Sequence, residues 1–129
     1  MSTSPISNDV RQQVLRVIDE TFATTKGIRA VVAATADGFD VACIAPGGAN
    51  ATRVAATASS IAAIGQAVGR ETGLGANRSV TLDCADGYVV VASTQHAGFD
   101  LVISVVTTRD ALLGQINYLI TQMSQKLLG

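Results

Sequence analysis

Two stretches decide the fold of this 129-residue chain: "ATADGFDVACIA" at residues 34–45 and "DCADGYVVVAST" at residues 83–94. Each carries Ala-Asp-Gly, then an aromatic residue and an apolar run. Asp-Gly between two apolar runs is a strong hairpin signal, because a type I′ turn needs a positive φ angle at both central residues. The sequence therefore predicts two β-hairpins, and it favours a turn over an acid–base role for Asp37 and Asp86.

Strand and helix patterns alternate around these hairpins. A helix capped by Ser7 or Asn8 and stopped by Gly27 leads the chain, and a last helix is expected to be capped by Thr107 or Thr108. The other predicted elements are strands at 28–35, 39–45, 78–84, 88–94 and 99–106 and a central helix at 50–73. The order α-β-β-α-β-β-β-α predicts an α+β fold, a three-layer α/β/α domain with a five-stranded antiparallel sheet. Residues 1–7 are expected to form a flexible tail and residues 8–129 a single domain.

Composition limits the classes of function. Hydrophobic residues make up 48% of the chain and charged residues 15%, which favours burial of apolar surface by self-association. The net charge is −1, aromatics are 4% and tryptophan is absent, so the chain is not expected to bind nucleic acid. The first residues lack the features of a signal peptide, and no apolar run reaches the ~20 residues of a membrane span. A cytoplasmic protein without membrane insertion is expected.

The candidate catalytic and metal-binding residues are weak. Gly47-Gly48 precedes a helix, but the pattern of a phosphate-binding loop is missing. His96 is expected to be a solvated turn residue, and Cys43 and Cys84 to be buried and reduced, with no neighbours at metal-ligand spacing. The sequence predicts neither an enzyme nor a bound cofactor or metal.

The central helix and the strand that follows it are more informative. The segment "NATRVAATASSIAAIGQAVGRETG" carries a seam of small residues that lets another backbone approach closely, either a sheet or a second helix. The strand at 78–84 is an apolar edge without proline, and an unprotected edge can pair with its symmetry mate.

In this order, the segments "ADGF", "GQAVGRETGLG" and "VTLDCADGYVVVAS", with the amphipathic last helix, resemble the Roadblock (dynein light-chain) family and its stand-alone bacterial members. The resemblance implies a dimer whose third strands pair and whose central helices lie side by side. It also implies binding to a small Ras-like GTPase, regulated by repositioning the GTPase's own residues rather than by a supplied arginine. We expect the chain to lack the long terminal extensions of some of those regulators.

The resemblance also suggests where the contacts lie. We expect the close helix contact at Ala55, Ala58, Ala62 and Gly65, packing of the joined strands at Val80 and Leu82, and GTPase contacts at Arg53, Gln66 and Arg70. The predicted function is a non-enzymatic regulator or scaffold of a small Ras-like GTPase, paired with itself or with a paralogue. One alternative is a structural light chain or adaptor that is indifferent to nucleotide state. Another is a small-molecule sensor or enzyme, which would need a pocket with convergent polar groups.

Overall fold

The computed structural model describes residues 6–48 and 50–128. It confirms the predicted order of three helices and five strands. The elements are α1 (Asn8–Thr24), β1 (Ile28–Thr35), β2 (Asp40–Ile44), α2 (Ala51–Glu71), β3 (Ser79–Cys84), β4 (Gly87–His96), β5 (Phe99–Thr107) and α3 (Leu113–Leu128).

The five strands form one antiparallel sheet in the order β2-β1-β5-β4-β3, so β2 and β3 are its two edges. Helices α1 and α3 cover one face, where Val14, Ile18, Ile116 and Met123 are at most 1% exposed. Helix α2 alone covers the other face. The three-layer prediction is therefore confirmed.

The predicted Ser7 cap of α1 is confirmed, whereas the start of the last helix differs from the prediction. Ile6 is buried, and the Ser7 hydroxyl accepts the Val10 N–H at 3.3 Å, so these two residues belong to the folded domain. Residues 1–5 of the predicted tail lie outside the described residues. Thr107 belongs to β5 and does not cap a helix. Helix α3 begins only at Leu113.

A turn, rather than a helix cap, follows β5. The Thr108 hydroxyl donates to the Asp110 carboxylate at 2.5 Å, and this hydrogen bond lowers the pKa of Asp110. The Ala111 N–H then bonds back to the Thr108 carbonyl at 3.3 Å. The capping side chains expected from the sequence are thus used locally, several residues before α3 begins.

The two Asp-Gly hairpins are confirmed, but their turn geometry is not type I′. Gly38 has a φ of +102° while Asp37 has no positive φ, and the second hairpin closes over 85–86 with Gly87 already paired to Cys84. The turn with two positive φ values lies between β4 and β5, at Ala97 and Gly98 (+52° and +82°). There the strand runs on to His96, two residues beyond the predicted end.

None of the helices in 6–48 and 50–128 combines the length and apolarity needed to cross a membrane.

Candidate partner-binding surface

The free edge of β3 is regular and accessible. Its six residues pair with β4 without a register shift, from Ser79↔Ala92 to Cys84↔Gly87. Tyr88 turns its backbone N–H toward Thr107 on β5, so alternate β4 residues, including Val89 and Val91, turn theirs toward β3. Across the ladder, this alternation leaves the backbone N–H and C=O of Thr81 and Asp83 on the outer side of β3. Within the described residues no strand pairs with that side.

Arg109 holds the end of this edge strand in place. Its guanidinium donates to the Asp83 carboxylate and, at 3.1 Å, to the Cys84 carbonyl, and it lies 4.8 Å from the centre of the Tyr88 ring. The ion pair raises the pKa of Arg109 above its ordinary value. Because these groups are exposed, the ion pair contributes little to stability. It links the β3–β4 hairpin to the segment that leads into α3.

The small-residue seam of α2 lies on the chain's own sheet. Ala55, Ala58 and Ala62 are 0%, 3% and 8% exposed and pack against strand residues such as Val91. A Cβ added to Gly65 would lie 2.9 Å from the Val80 side chain. This corrects the assignment of these four residues to a contact between helices of two copies. The seam could approach either a sheet or a second helix, and in the structure it packs on the sheet.

The apolar surface that remains on α2 lies on the face next to this seam. Ile64 and Val68 are 63% and 53% exposed, and Val54 and Ile61 are half-buried. These residues stand at spacings of seven, three and four, so they share one stripe. We call this stripe, with the outer side of β3, the α2–β3 surface. The apolar spacing could have identified Ile64 from the sequence. The interface was instead predicted at the seam of alanines and glycines on the neighbouring face.

A groove of about 240 Å³ separates this stripe from the sheet. Half-buried Leu82 lies on its floor, and Val80 packs under Gly65; their packing at the joined strands of a dimer stays a prediction. Ser104 also lines the groove, and its hydroxyl is buried with no hydrogen-bond partner among the described residues. The groove is apolar apart from this hydroxyl and from Arg53 and Thr57 at its side.

The three predicted GTPase contacts do not form one cluster. Arg53 and Arg70 are exposed near opposite ends of α2, about 25 Å apart at 1.5 Å per residue. Gln66 is half-buried, and its amide bonds both backbone groups of Asn77, at 3.0 and 3.1 Å. Gln66 therefore holds the α2–β3 loop with its amide.

The histidine and the cysteines also differ from expectation. His96 is half-buried at the end of β4, with Nδ1 2.6 Å from the Leu127 carbonyl and Nε2 2.8 Å from the Gln13 side-chain oxygen. Cys84 is exposed and Cys43 is half-buried, and both are free thiols. Partial burial, with the nearby Asp40 carboxylate, raises the pKa of Cys43. No group of three metal-ligating side chains occurs among the described residues.

Comparison with known proteins agrees with this architecture. The family model "Roadblock/LC7 domain" matches residues 14–104, more than half of the chain. No curated protein matches.

Solved structures of the same fold cover nearly the whole chain. The Roadblock/LC7 domain from Streptomyces avermitilis aligns with a TM-score of 0.72 and 17% identity, covering 95% of this chain and 94% of that one. The gliding protein MglB from Thermus thermophilus gives 0.78 and 20%, covering 98% and 94%. A structure of MglB with a tetrameric arrangement gives 0.80 and 19%, covering 98% and 93%.

Proposed function

This chain belongs to the Roadblock/LC7 family, and from that membership we propose that it is a non-enzymatic homodimer that regulates or scaffolds a small Ras-like GTPase. One observation carries the proposal: an unprotected edge strand, β3, runs beside an exposed apolar stripe on α2. Edge strands of this kind are normally covered or blunted in a monomer.

The proposed dimer is formed through that edge. Two copies of β3 related by a two-fold axis pair in antiparallel fashion, and each α2 is carried to the side of the other. The stripe at Ile64 and Val68 then faces the groove beside Ile61 and Leu82 of the second copy. Full burial of an aliphatic side chain contributes about 1.5–3 kcal/mol, so four such side chains, two from each copy, supply the main driving force. The structure of MglB in a tetrameric arrangement supports self-association in this fold.

The GTPase contact is proposed for the surface of the paired helices that faces away from the sheets. Arg53 and Arg70 lie at opposite ends of α2, so antiparallel helices bring an arginine from each copy to both ends of this surface. A basic side chain at each end suits an acidic partner surface and raises the rate of encounter. The resemblance to GTPase regulators supports the choice of partner class.

The test is capture of a GTPase in defined nucleotide states. The purified protein is immobilised and exposed to lysate from its source cells, loaded with GDP or with a non-hydrolysable GTP analogue, and bound proteins are identified by mass spectrometry. A small GTPase enriched in one state, and lost with Arg53→Glu and Arg70→Glu but retained with Arg29→Glu, supports regulation. Equal capture in both states, or capture of a partner that is not a GTPase, supports the adaptor function, and capture of no partner contradicts both.

A further inference from the structure

Strand β4 extends beyond the end of its neighbour β3. The pairing of the two strands ends at Ser79↔Ala92, whereas β4 continues to His96 in register with β5. The Ala36 N–H donates to the Asp100 carbonyl on the β1 side of β5, so the Gln95↔Asp100 pair shares no backbone hydrogen bonds. The backbone N–H and C=O of Gln95 therefore point away from β5, toward the side on which β3 has already ended.

The chain leaves this edge because it is held on α2 instead. The Gln66 amide bonds both the N–H and the C=O of Asn77, in the way that a neighbouring strand would. The loop before it lies so close to α2 that a Cβ on Gly69 would be 2.1 Å from the Gly75 carbonyl oxygen. Within the described residues, the outward backbone groups of Gln95 consequently have no partner.

A cavity of about 600 Å³ lies beside this edge. It is lined from one face of the sheet by Ala63 and Gln66 of α2 and from the other by Ser124 and Leu128 of α3, with Thr94 and Gln95 of β4 between them. The cavity also extends over the end of β5 to Ala36, and its part beside Gln95 lies where a further strand would pair with β4. The Thr94 hydroxyl is buried and has no hydrogen-bond partner among the described residues.

The charge of the cavity is set by one carboxylate. Among the described residues of its lining, Asp100 alone is charged; it is exposed and accepts a hydrogen bond from the Gln95 side chain at 2.7 Å. No salt bridge to Asp100 occurs in the part of the chain that the structure describes. A basic side chain is therefore the complement that this end of the cavity lacks.

We propose that the cavity binds an extended segment of a partner protein, which adds to β4 as a short strand with a Lys or Arg beside Asp100. Alternate side chains of such a segment point to opposite faces, so small or apolar residues enter the spaces under α2 and α3. Main-chain hydrogen bonds to Gln95 provide affinity, and the lining selects the side chains. This site is separate from the α2–β3 surface and does not depend on the proposed GTPase function.

The test starts from a random heptapeptide library displayed on phage and selected on the purified full-length protein. Enriched peptides are synthesised with a fluorescent label, and their dissociation constants are measured by anisotropy. We expect sequences enriched in Lys or Arg next to small or β-branched residues. Their binding should be about 10-fold weaker to Gln95→Pro, which removes the outward N–H, than to Gln95→Ala, which keeps it. Asp100→Asn should weaken the binding several-fold.

A second pair of variants leaves the sheet untouched. Ala63→Gln narrows the cavity from α2, whereas Ala56→Gln adds the same group to an exposed position outside it. Weakening by Ala63→Gln alone supports the site. The proposal is overturned if no peptide is enriched, or if the enriched peptides bind all variants equally. It is also overturned if Ala63→Gln changes the dissociation constant of the homodimer instead, because the occupant is then a second copy.

Discussion

The two edges of the sheet, β2 and β3, are built in opposite ways. Strand β2 is interrupted by a bulge at Val41, where the register shifts against β1. The Arg11 guanidinium donates to the Asp40 and Val41 carbonyls there, at 3.2 and 3.1 Å. Strand β3 has no bulge along its six paired residues, and its arginine contact, from Arg109 to the Cys84 carbonyl, lies at its last residue. Bulges and charged side chains are the means by which edges are protected from another strand.

The difference predicts that copies associate at the β3 edge and not at the β2 edge. A copy that adds at β3 leaves β2 as the outermost strand at both ends of the joined sheet, and β2 carries the bulge and the Arg11 contact. The proposed assembly is therefore closed at two copies with respect to strand pairing, as expected for a two-fold interface that uses the same patch on both subunits. Four changes break or sharpen this contrast between the edges.

The largest effect is expected in the hairpins that carry the two edges, each built on Asp-Gly. A Cβ on Gly87 would lie 2.0 Å from the Thr107 carbonyl oxygen, so Gly87→Ala must displace β4 from β5. We expect a loss of at least about 3 kcal/mol in the free energy of unfolding. At Gly38 the added Cβ meets only an ordinary contact at 3.6 Å, and the cost comes from its φ of +102°, about 1–2 kcal/mol. Urea denaturation of both variants measures the difference, and equal losses would contradict it.

The next effect concerns the open edge itself. Thr81→Pro removes an outward N–H of β3 without touching the β3–β4 ladder. Each copy loses one hydrogen bond worth about 1 kcal/mol, so the dimer dissociation constant should rise about 30-fold. Thr81→Val keeps the N–H and is the matched control. Sedimentation equilibrium measures both, and an unchanged constant for Thr81→Pro would place the interface elsewhere.

A smaller effect is expected at the β2 edge when Arg11 is removed. Arg11→Ala leaves the Asp40 and Val41 carbonyls without their charged donor, which should lower the free energy of unfolding by about 1–2 kcal/mol. It should also permit association beyond the dimer, seen as higher mass in light scattering. Arg16→Ala is the control, since Arg16 is an exposed neighbour on the same helix. Equal stability and mass for the two variants would show that Arg11 does not guard β2.

The sequence predicted the elements of this fold well, because apolar periodicity and the Asp-Gly turns act locally. It did not predict the contrast between the edges. The bulge at Val41 depends on how β2 meets β1, and Arg11 reaches β2 from 29 residues earlier in the chain. Such contacts leave no periodic signal in either segment.

The sequence predicted only part of the candidate site, again because long-range contacts leave no signal in it. A stripe of alanine and glycine indicates close approach of a backbone, but it does not say which one, and here it is the chain's own sheet. The sequence predicts a partner contact for Gln66, because nothing near it in sequence shows that Asn77 bonds its amide. The prediction of an apolar edge at β3, which rests on local composition, agrees with the structure.

The smallest effect uses the one cysteine that each edge carries. Cys84 on β3 is exposed, whereas Cys43 on β2 is half-buried and its pKa is raised. Because the thiolate is the reactive form, a raised pKa leaves less of it at a given pH, so Cys43 should be alkylated more slowly than Cys84 and gain rate as the pH increases. Raising the protein concentration through the dimer dissociation constant should slow Cys84 several-fold and leave Cys43 unchanged. Peptide mass spectrometry of timed iodoacetamide reactions follows both thiols in one sample. Protection of Cys43 rather than Cys84 would mean that the copies meet at β2, and the contrast between the edges would be reversed.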